Sequence, residues 1–400
     1  MLHLDKLPFY VGLLDSPAGS GLPLSLPFTL GFDDDLGLIV QQLDEQVDLW
    51  VETAYQHGSS LSTPVGEGSF GGVWAEDVLN ALRACLGDKG FERRSFLEVG
   101  CNTGYLLHRL KQEGASHCLG VDPSPSSSAW AEQSGVEIIQ DFFDPDAMEE
   151  RFDLVFSHGV LEHVRRPLEF LAGLKACTKE GGIVFTAVPD CAPGLSLGDL
   201  SLLAHEHRSY FTARSLRSMY ERAGLRPTRS RTPAYGWMLQ MWASAASGTS
   251  LGMGLSKGDI LEERMLLARY ERLCARIVER IQNMIYEMEK QGRSIGIYGA
   301  YPHFMLFDWG EQPRCFDGDA AKHGKYLPGC GSQVESPQAL TATPVDSIWV
   351  APIHHDAAIR SFLEHELGVP SARIVSMKEV YEAQKAALEG REFGCTTRRE

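Results

Sequence analysis

The segment Ala204-His205-Glu206-His207-Arg208-Ser209-Tyr210-Phe211-Thr212 sets two imidazoles around one carboxylate. Such a trio suits metal ligation, a proton relay, or no more than a solvated loop capping a helix that starts near Thr212. H-x-H presents both rings to one face only in a strand, and a zinc site needs a third ligand close by, so no metal is expected. A histidine held by a carboxylate is the usual agent of proton removal at physiological pH. A second segment runs from Ser95 to Leu110. There a short buried strand containing Glu98 leads into the turn Gly100-Cys101-Asn102-Thr103-Gly104 and then into a helix. Glycine permits the sharp turn and the close approach of a ligand, while the helix amino end offers free N–H groups. The spacing is not G-x-G-x-x-G, which argues against a dinucleotide.

These groups need a scaffold, and the flanking pattern supplies one. Strands alternate with helices from Phe96 to Val188: Phe96–Val99, then Cys118–Val121 ending in Asp122, then Val136–Ile139 followed by Asp141 and Phe142. Phe152–Phe156 comes next, followed by Ser157, His158, Glu162 and His163, and the last strand is Gly182–Val188. This alternation is that of a parallel sheet covered on both faces, with ligands beyond the carboxyl ends of its strands. Asp122 is then placed to accept from two ribose hydroxyls, and Asp141 from an exocyclic adenine amine.

The 400 residues are enough for two or three domains. A net charge of −16 argues against nucleic acid or an anionic membrane as the main partner. Nine scattered cysteines with no C-x-x-C pair read as reduced and structural. The first residues are broken by Asp5, Pro8 and Asp15, and no stretch is long enough to span a bilayer, so a cytoplasmic protein is expected. Residues 36–55 look helical, residues 58–72 read as a loop long enough for a lid or substrate wall, and Trp74–Leu86 is a stronger helix. Leu266, Leu267, Tyr270, Leu273, Ile277, Ile281, Met284 and Ile285 form one helical stripe in a connector, read as packed core with a homodimer seam as the lesser reading. A strand and Gly turn, Ser294–Ala300, opens a second α/β unit.

Taken together, Gly100, Asn102, Gly104, Asp122, Asp141 and the Leu161-Glu162-His163 segment resemble class I S-adenosyl-L-methionine (SAM) methyltransferases. The resemblance implies a Rossmann-like SAM domain over residues 91–245, and the pattern beyond it reads as a helical connector over 246–292 and a smaller Rossmann-like α/β domain over 293–400. Residues 1–90 form an amino-terminal segment acting as wall or lid. It further implies cofactor contacts from Glu98, Gly100, Asn102, Thr103, Gly104, Asp122, Asp141, Phe142 and Ser157.

H-E-H-x-S-Y-F-T-x-x-S-L, with M-Y-E-R-A-G-L at Met219–Leu225, is similar to a segment of the nucleotide-sugar C-methyltransferases that make branched deoxysugars. Carried over, His207 is the base that takes a proton beside a keto group and Glu206 its helper. His205, Tyr210 and His158 are candidate donors to the resulting oxyanion. The motif around Tyr298-Gly299-Ala300, Asp317 and Lys322–Gly329 resembles the carboxyl-terminal domain of the same family. That likeness implies sugar-nucleotide contacts from Tyr298, Lys325 and Tyr326, joined by Tyr55 from a Tyr and Ser-Ser stretch. Two departures stand out: Ala204 replaces the family's usual Tyr, and no cysteine precedes Cys85, so the family's amino-terminal zinc is expected to be absent. The alternatives are O-methylation of a sugar or other small-metabolite hydroxyl, and a SAM-binding regulator without turnover. The expected protein is a monomer or homodimer acting on a small molecule.

Overall fold

The computed structural model describes residues 1–9, 12–16, 21–42, 44–56, 70–87, 90–124, 135–233, 238–245, 254–300, 302–328 and 331–396. At its centre is a seven-stranded sheet built from β4 (Ser95–Val99), β5 (His117–Val121), β6 (Glu137–Ile139), β7 (Phe152–His158), β8 (Thr178–Pro189), β10 (Arg226–Arg231) and β11 (Met238–Ser244). The order is β10-β11-β8-β7-β4-β5-β6, with β4 to β8 parallel and β11 antiparallel to both its neighbours. The chain runs outward from β4 through β5 to β6, then returns to the other side of β4 at β7. A crevice therefore opens at the carboxyl ends of β4 and β7, where a ligand of such a sheet binds.

Apolar runs explain both faces. Phe96, Leu154, Phe156 and Phe185 point to one side and pack against Val78, Leu79 and Leu82 of α2 (Phe70–Leu86) and Leu106, Leu107 and Leu110 of α3 (Tyr105–Gln112). Alternate residues Leu97, Val99, Val155 and Val184 meet Leu171 and Leu174 of the helix Pro167–Ala176 and Leu216 and Met219 of the helix Ala213–Arg222. Helix α2 thus belongs to the core of the central domain, and a boundary at residue 90 would cut that core. Thr212 does cap the helix after the H-E-H segment, in a reciprocal capping box with Ser215.

The amino-terminal segment differs from the helical expectation. β1 (Leu2–Pro8), β2 (Ser25–Asp33) and β3 (Leu38–Gln41) form an antiparallel sheet, and of the described residues in 36–55 those from Glu45 onward are helical, in α1 (Glu45–Gln56). Ile39 and Val40 end up extended because β3 pairs on one edge with β2 and on the other with β9 (Ser209–Tyr210), a strand that follows directly on the H-E-H segment. Strand pairing on both edges overrode a short helical pattern. Leu2, Leu7, Phe28, Leu30 and Ile39 are buried with Tyr210 and the helix α4 (Lys257–Lys290).

α4 buries the stripe the sequence marks out: Leu267, Tyr270, Leu273, Ile277, Ile281 and Ile285 are fully covered, with Leu266 and Met284 at its border. Those residues pack inside this chain, as core. Beyond α4 lies an all-parallel five-stranded sheet of β12 (Ile295–Tyr298), β13 (Arg314–Phe316), β14 (Val334–Glu335), β15 (Ser347–Val350) and β16 (Ile374–Ser376), in the order β14-β13-β12-β15-β16. It is the second Rossmann-like unit. His303 donates to the carbonyl of Leu203 at 2.7 Å, joining this unit to the residue before Ala204. No helix among the described residues is long and apolar enough to cross a membrane.

Candidate active site

The turn after β4 is shaped by left-handed backbone at Gly100 (φ 79°), Asn102 (φ 48°) and Gly104 (φ 74°). A Cβ on Gly100 would lie 2.2 Å from Cγ2 of Val160, so the turn and the segment after β7 touch directly. Asp122, 8% exposed, accepts from the N–H of Asn102 at 2.7 Å through one oxygen and from that of Ser124 at 2.8 Å through the other. Each oxygen keeps a second lone pair, the pattern needed for two hydroxyls. Glu98, buried on β4, is held well above the usual carboxyl range by burial and then by Asp122, and its Oε2 has no partner among the described residues. Ser157 Oγ, buried at the adjacent strand end, likewise has none. Asp141 accepts from the N–H of Phe142 at 2.7 Å, and the Phe142 ring is 78% exposed. Thr103 is half-buried. A glycine cradle, a two-oxygen acid with spare lone pairs and an exposed ring beside a second acid together fit SAM.

The H-E-H segment is a turn, closed by a hydrogen bond of 3.0 Å from His207 N–H to the carbonyl of Ala204. Its side chains therefore diverge. His205 is buried edge-on between Phe9 and Phe28, with ring centroids 5.5 and 5.6 Å away, on the side of the amino-terminal sheet. It does not join His207, since the backbone turn aims the two rings apart. Tyr210 spends its hydroxyl on the backbone of Ala204, accepting at 3.3 Å and donating at 3.4 Å. Its ring stands 6.2 Å from that of His207.

His207 instead faces His163, ring centroids 5.0 Å apart, and one ligand-type atom each of Glu162, His163 and His207 lies within 4.8 Å of the others. The expected helper Glu206 is directed to His163: its Oε2 is 4.0 Å from Nδ1, while its backbone carbonyl accepts from that nitrogen at 3.1 Å. Glu162 takes the place beside His207 that sequence adjacency gives to Glu206. Burial pushes Glu162 up to about 8 and His163 down to about 4. His207 falls to about 3, by burial first and the neighbouring imidazole second. At neutral pH both imidazoles are unprotonated, with lone pairs available.

His158 closes β7 with its ring 4.0 Å from that of Trp74, and burial pushes it down to about 3. Its Nε2 has no partner among the described residues. A frame holds these groups. Arg208 N–H donates to the Glu162 carbonyl at 2.7 Å, its guanidinium pairs with Asp48 of α1, and Gln41 donates from its amide to the carbonyls of His205 at 2.9 Å and His207 at 3.1 Å. The sequence pattern places Glu162 and His163 beyond the fourth strand without pairing them to His207, and it gives Arg208, Asp48 and Trp74 no part in the site. Glu162 and His163 had a signal, their place directly after a parallel strand; Asp48 had none.

The remaining candidates lie elsewhere. Tyr55 is in α1, but its side chain is outside the described residues, as is the loop 58–69. Tyr298 is buried at the end of β12, its ring against Phe362, while Lys325 is exposed. Tyr326 donates its N–H to the carbonyl of Leu14 at 2.7 Å and accepts from Leu14 at 2.9 Å, tying the second unit to the amino-terminal segment.

Residues 74–230 match the family described as Methyltransferase domain. C-methyltransferase NovU of Streptomyces niveus is 28% identical over 308 residues, which span 70% of this chain and 73% of that protein. tRNA U34 carboxymethyltransferase of Pseudoalteromonas translucida is 37% identical over 103 residues, 22% of this chain and 30% of that protein. Among solved structures, magnesium protoporphyrin IX methyltransferase of Synechocystis, with bound SAH, aligns with 51% of this chain and 100% of its own at 17% identity and a TM-score of 0.40.

Proposed function

We propose that this chain, a SAM-dependent methyltransferase, methylates carbon beside the keto group of a nucleotide-linked deoxysugar. The observation that carries the reading is His207: an unprotonated, half-buried imidazole against His163 and Glu162, on a segment tied to the one that touches the cofactor turn. Similarity to a C-methyltransferase across 73% of that protein supports carbon as the nucleophile. The −16 charge supports a small acceptor.

Gly100, Asn102, Thr103 and Gly104 would hold the methionine part of SAM, Asp122 the ribose hydroxyls, and Asp141 with Phe142 the adenine. Glu98 and Ser157 line the strand ends beside them. When bound, SAM supplies an electrophilic sulfonium methyl to a carbon nucleophile. His207 creates that nucleophile: its lone pair takes the proton from the carbon, and the C–H electron pair becomes the double bond of an enolate. His163, locked by the Glu206 carbonyl, holds the His207 ring in place. His158, at the end of β7, is the donor to the enolate oxygen. Tyr298, Lys325, Tyr326 and Tyr55 are the candidate contacts to the sugar nucleotide.

The test is NMR of a reaction containing SAM with a carbon-13 methyl and nucleotide-linked 4-keto deoxysugars, run beside His207→Ala. A new aliphatic methyl signal that disappears in the variant supports the reading. A methoxy signal would overturn it in favour of O-methylation, and transfer undiminished in His207→Ala would overturn the assignment of the base.

A further inference from the structure

We propose that Glu162, His163 and His207 form a binding site for a divalent transition-metal cation of the zinc class. The lone H-E-H segment lacks a third ligand, but the fold supplies a different trio, drawn from the turn after β7 and the turn before β9. Two imidazoles and one carboxylate with a further position open is a recurrent zinc donor set.

The orientation of His163 carries the argument. Its Nδ1 faces a backbone carbonyl, that of Glu206, at 3.1 Å, and a carbonyl only accepts. Nδ1 therefore bears the hydrogen, and in the neutral ring Nε2 bears the lone pair. That lone pair looks at Oε1 of Glu162 across 3.9 Å, beyond hydrogen-bond reach. Oε2 of Glu162, on a side chain 3% exposed, has no partner among the described residues. A lone pair facing a buried carboxyl group over this gap, with the second carboxyl oxygen left without a partner among the described residues, is an arrangement a cation resolves. Two ligands on one tetrahedral zinc sit roughly 3.4 Å apart at ordinary zinc–nitrogen and zinc–oxygen lengths, so small side-chain shifts close the site. The carbonyl that fixes the His163 tautomer is an outer-sphere partner of the kind metal-bound histidines have. A backbone hydrogen bond of 2.7 Å from Arg208 to Glu162 holds the two ligand-bearing turns together. The neighbouring cation, Arg208, is already paired with Asp48.

Cation and proton compete for one lone pair of His207. Occupancy of the site and proton removal by His207 therefore exclude each other, and a bound cation holds the enzyme off. The binding itself does not rest on which acceptor is methylated.

The experiment is a Co2+ titration of tag-free protein followed by visible absorption, without SAM or acceptor. One equivalent of low-coordinate Co2+ is expected, displaced by Zn2+, and Glu162→Gln and His207→Ala should each weaken it about 10- to 100-fold or more. His207→Cys keeps three ligands and should add a sulfur-to-cobalt charge-transfer band absent from the parent. Absence of saturable absorption in the parent would overturn the proposal. So would binding unchanged in both loss variants, or a charge-transfer band already present in the parent, which would place the cobalt on cysteine. Far-UV circular dichroism confirms that each variant is folded, and His207→Cys gives a positive signal where a loss could reflect misfolding. A methylation assay that fails on every acceptor leaves this result standing, and the reverse also holds.

Discussion

Arg208 donates its backbone N–H to the carbonyl of Glu162 at 2.7 Å, so the segment after β7 and the segment before β9 move as one. The side chain of the same residue, 7% exposed, pairs with Asp48 of α1, which also meets Arg165 at 3.4 Å. The amino-terminal segment is in this way a brace for the reacting cluster. Removing one member of a buried pair leaves the other charge uncompensated, at about 3–5 kcal/mol. Asp48→Ala should therefore lower the unfolding free energy from urea titration by that order and slow methyl transfer, while SAM still binds to the folded protein. A loss below about 1 kcal/mol would mean that the pair behaves as a surface contact and does not brace the site.

Gly100 tests how closely the cofactor turn and the Glu162 segment are packed. Alanine there meets two obstacles, a φ of 79° and the Val160 methyl 2.2 Å from the new Cβ. Strain and overpacking together should cost about 1–3 kcal/mol. Val160→Ala removes only the steric part, so the double variant should recover some of the stability lost by Gly100→Ala but little of its SAM affinity. Thermal unfolding and calorimetric SAM titration of the four proteins in this cycle read the two effects apart. Strictly additive stabilities would show that the two residues do not touch.

Much of this architecture is legible before the fold is known, and the reason is periodicity. Phe96–Val99, Phe152–Phe156 and the α4 stripe announce themselves because their neighbours in sequence share a face. β3 does not, since Ile39 and Val40 become a strand by pairing with Phe32 and Gly31 on one edge and with Tyr210 and Ser209, far along the chain, on the other. The same limit applies at the site. Glu206 stands next to His207 in sequence, yet the turn from Ala204 to His207 sends its carboxylate toward His163. Glu162 reaches the cluster from the end of β7, because the Arg208 N–H bonds its carbonyl and so joins the two segments. Sequence adjacency names the residue types and long-range pairing selects the partners.

His158 gives a pH dependence with a definite sign. Burial pushes it from 6.5 in the unfolded chain to about 3 in the fold. Between those values the unfolded chain binds the extra proton, so the contribution to stability is complete above about pH 6.5 and is lost progressively as pH falls toward 3. His158→Phe removes the titrating group and keeps an aromatic ring against Trp74. Its unfolding free energy should fall less steeply than that of the parent between pH 6.5 and 4. Equal slopes in urea titrations across this range would show that His158 stays hydrated in the fold.

Phe142 presents 78% of its surface to solvent beside Asp141 at the end of β6. A large ring left in water has nothing to contribute to the core, so truncating it should leave unfolding within about 0.5 kcal/mol of the parent. As the flat surface for adenine it should matter far more, since stacking of a base on an aromatic side chain contributes about 1–3 kcal/mol. Phe142→Ala is therefore expected to weaken SAM by about 5- to 150-fold with an unchanged melting temperature. Asp122→Ala should weaken SAM as well, but also destabilise the protein, because its carboxylate holds the N–H groups of Asn102 and Ser124. If Phe142→Ala binds SAM like the parent while Asp122→Ala does not, the ribose end of the cradle stands and adenine lies elsewhere along β6.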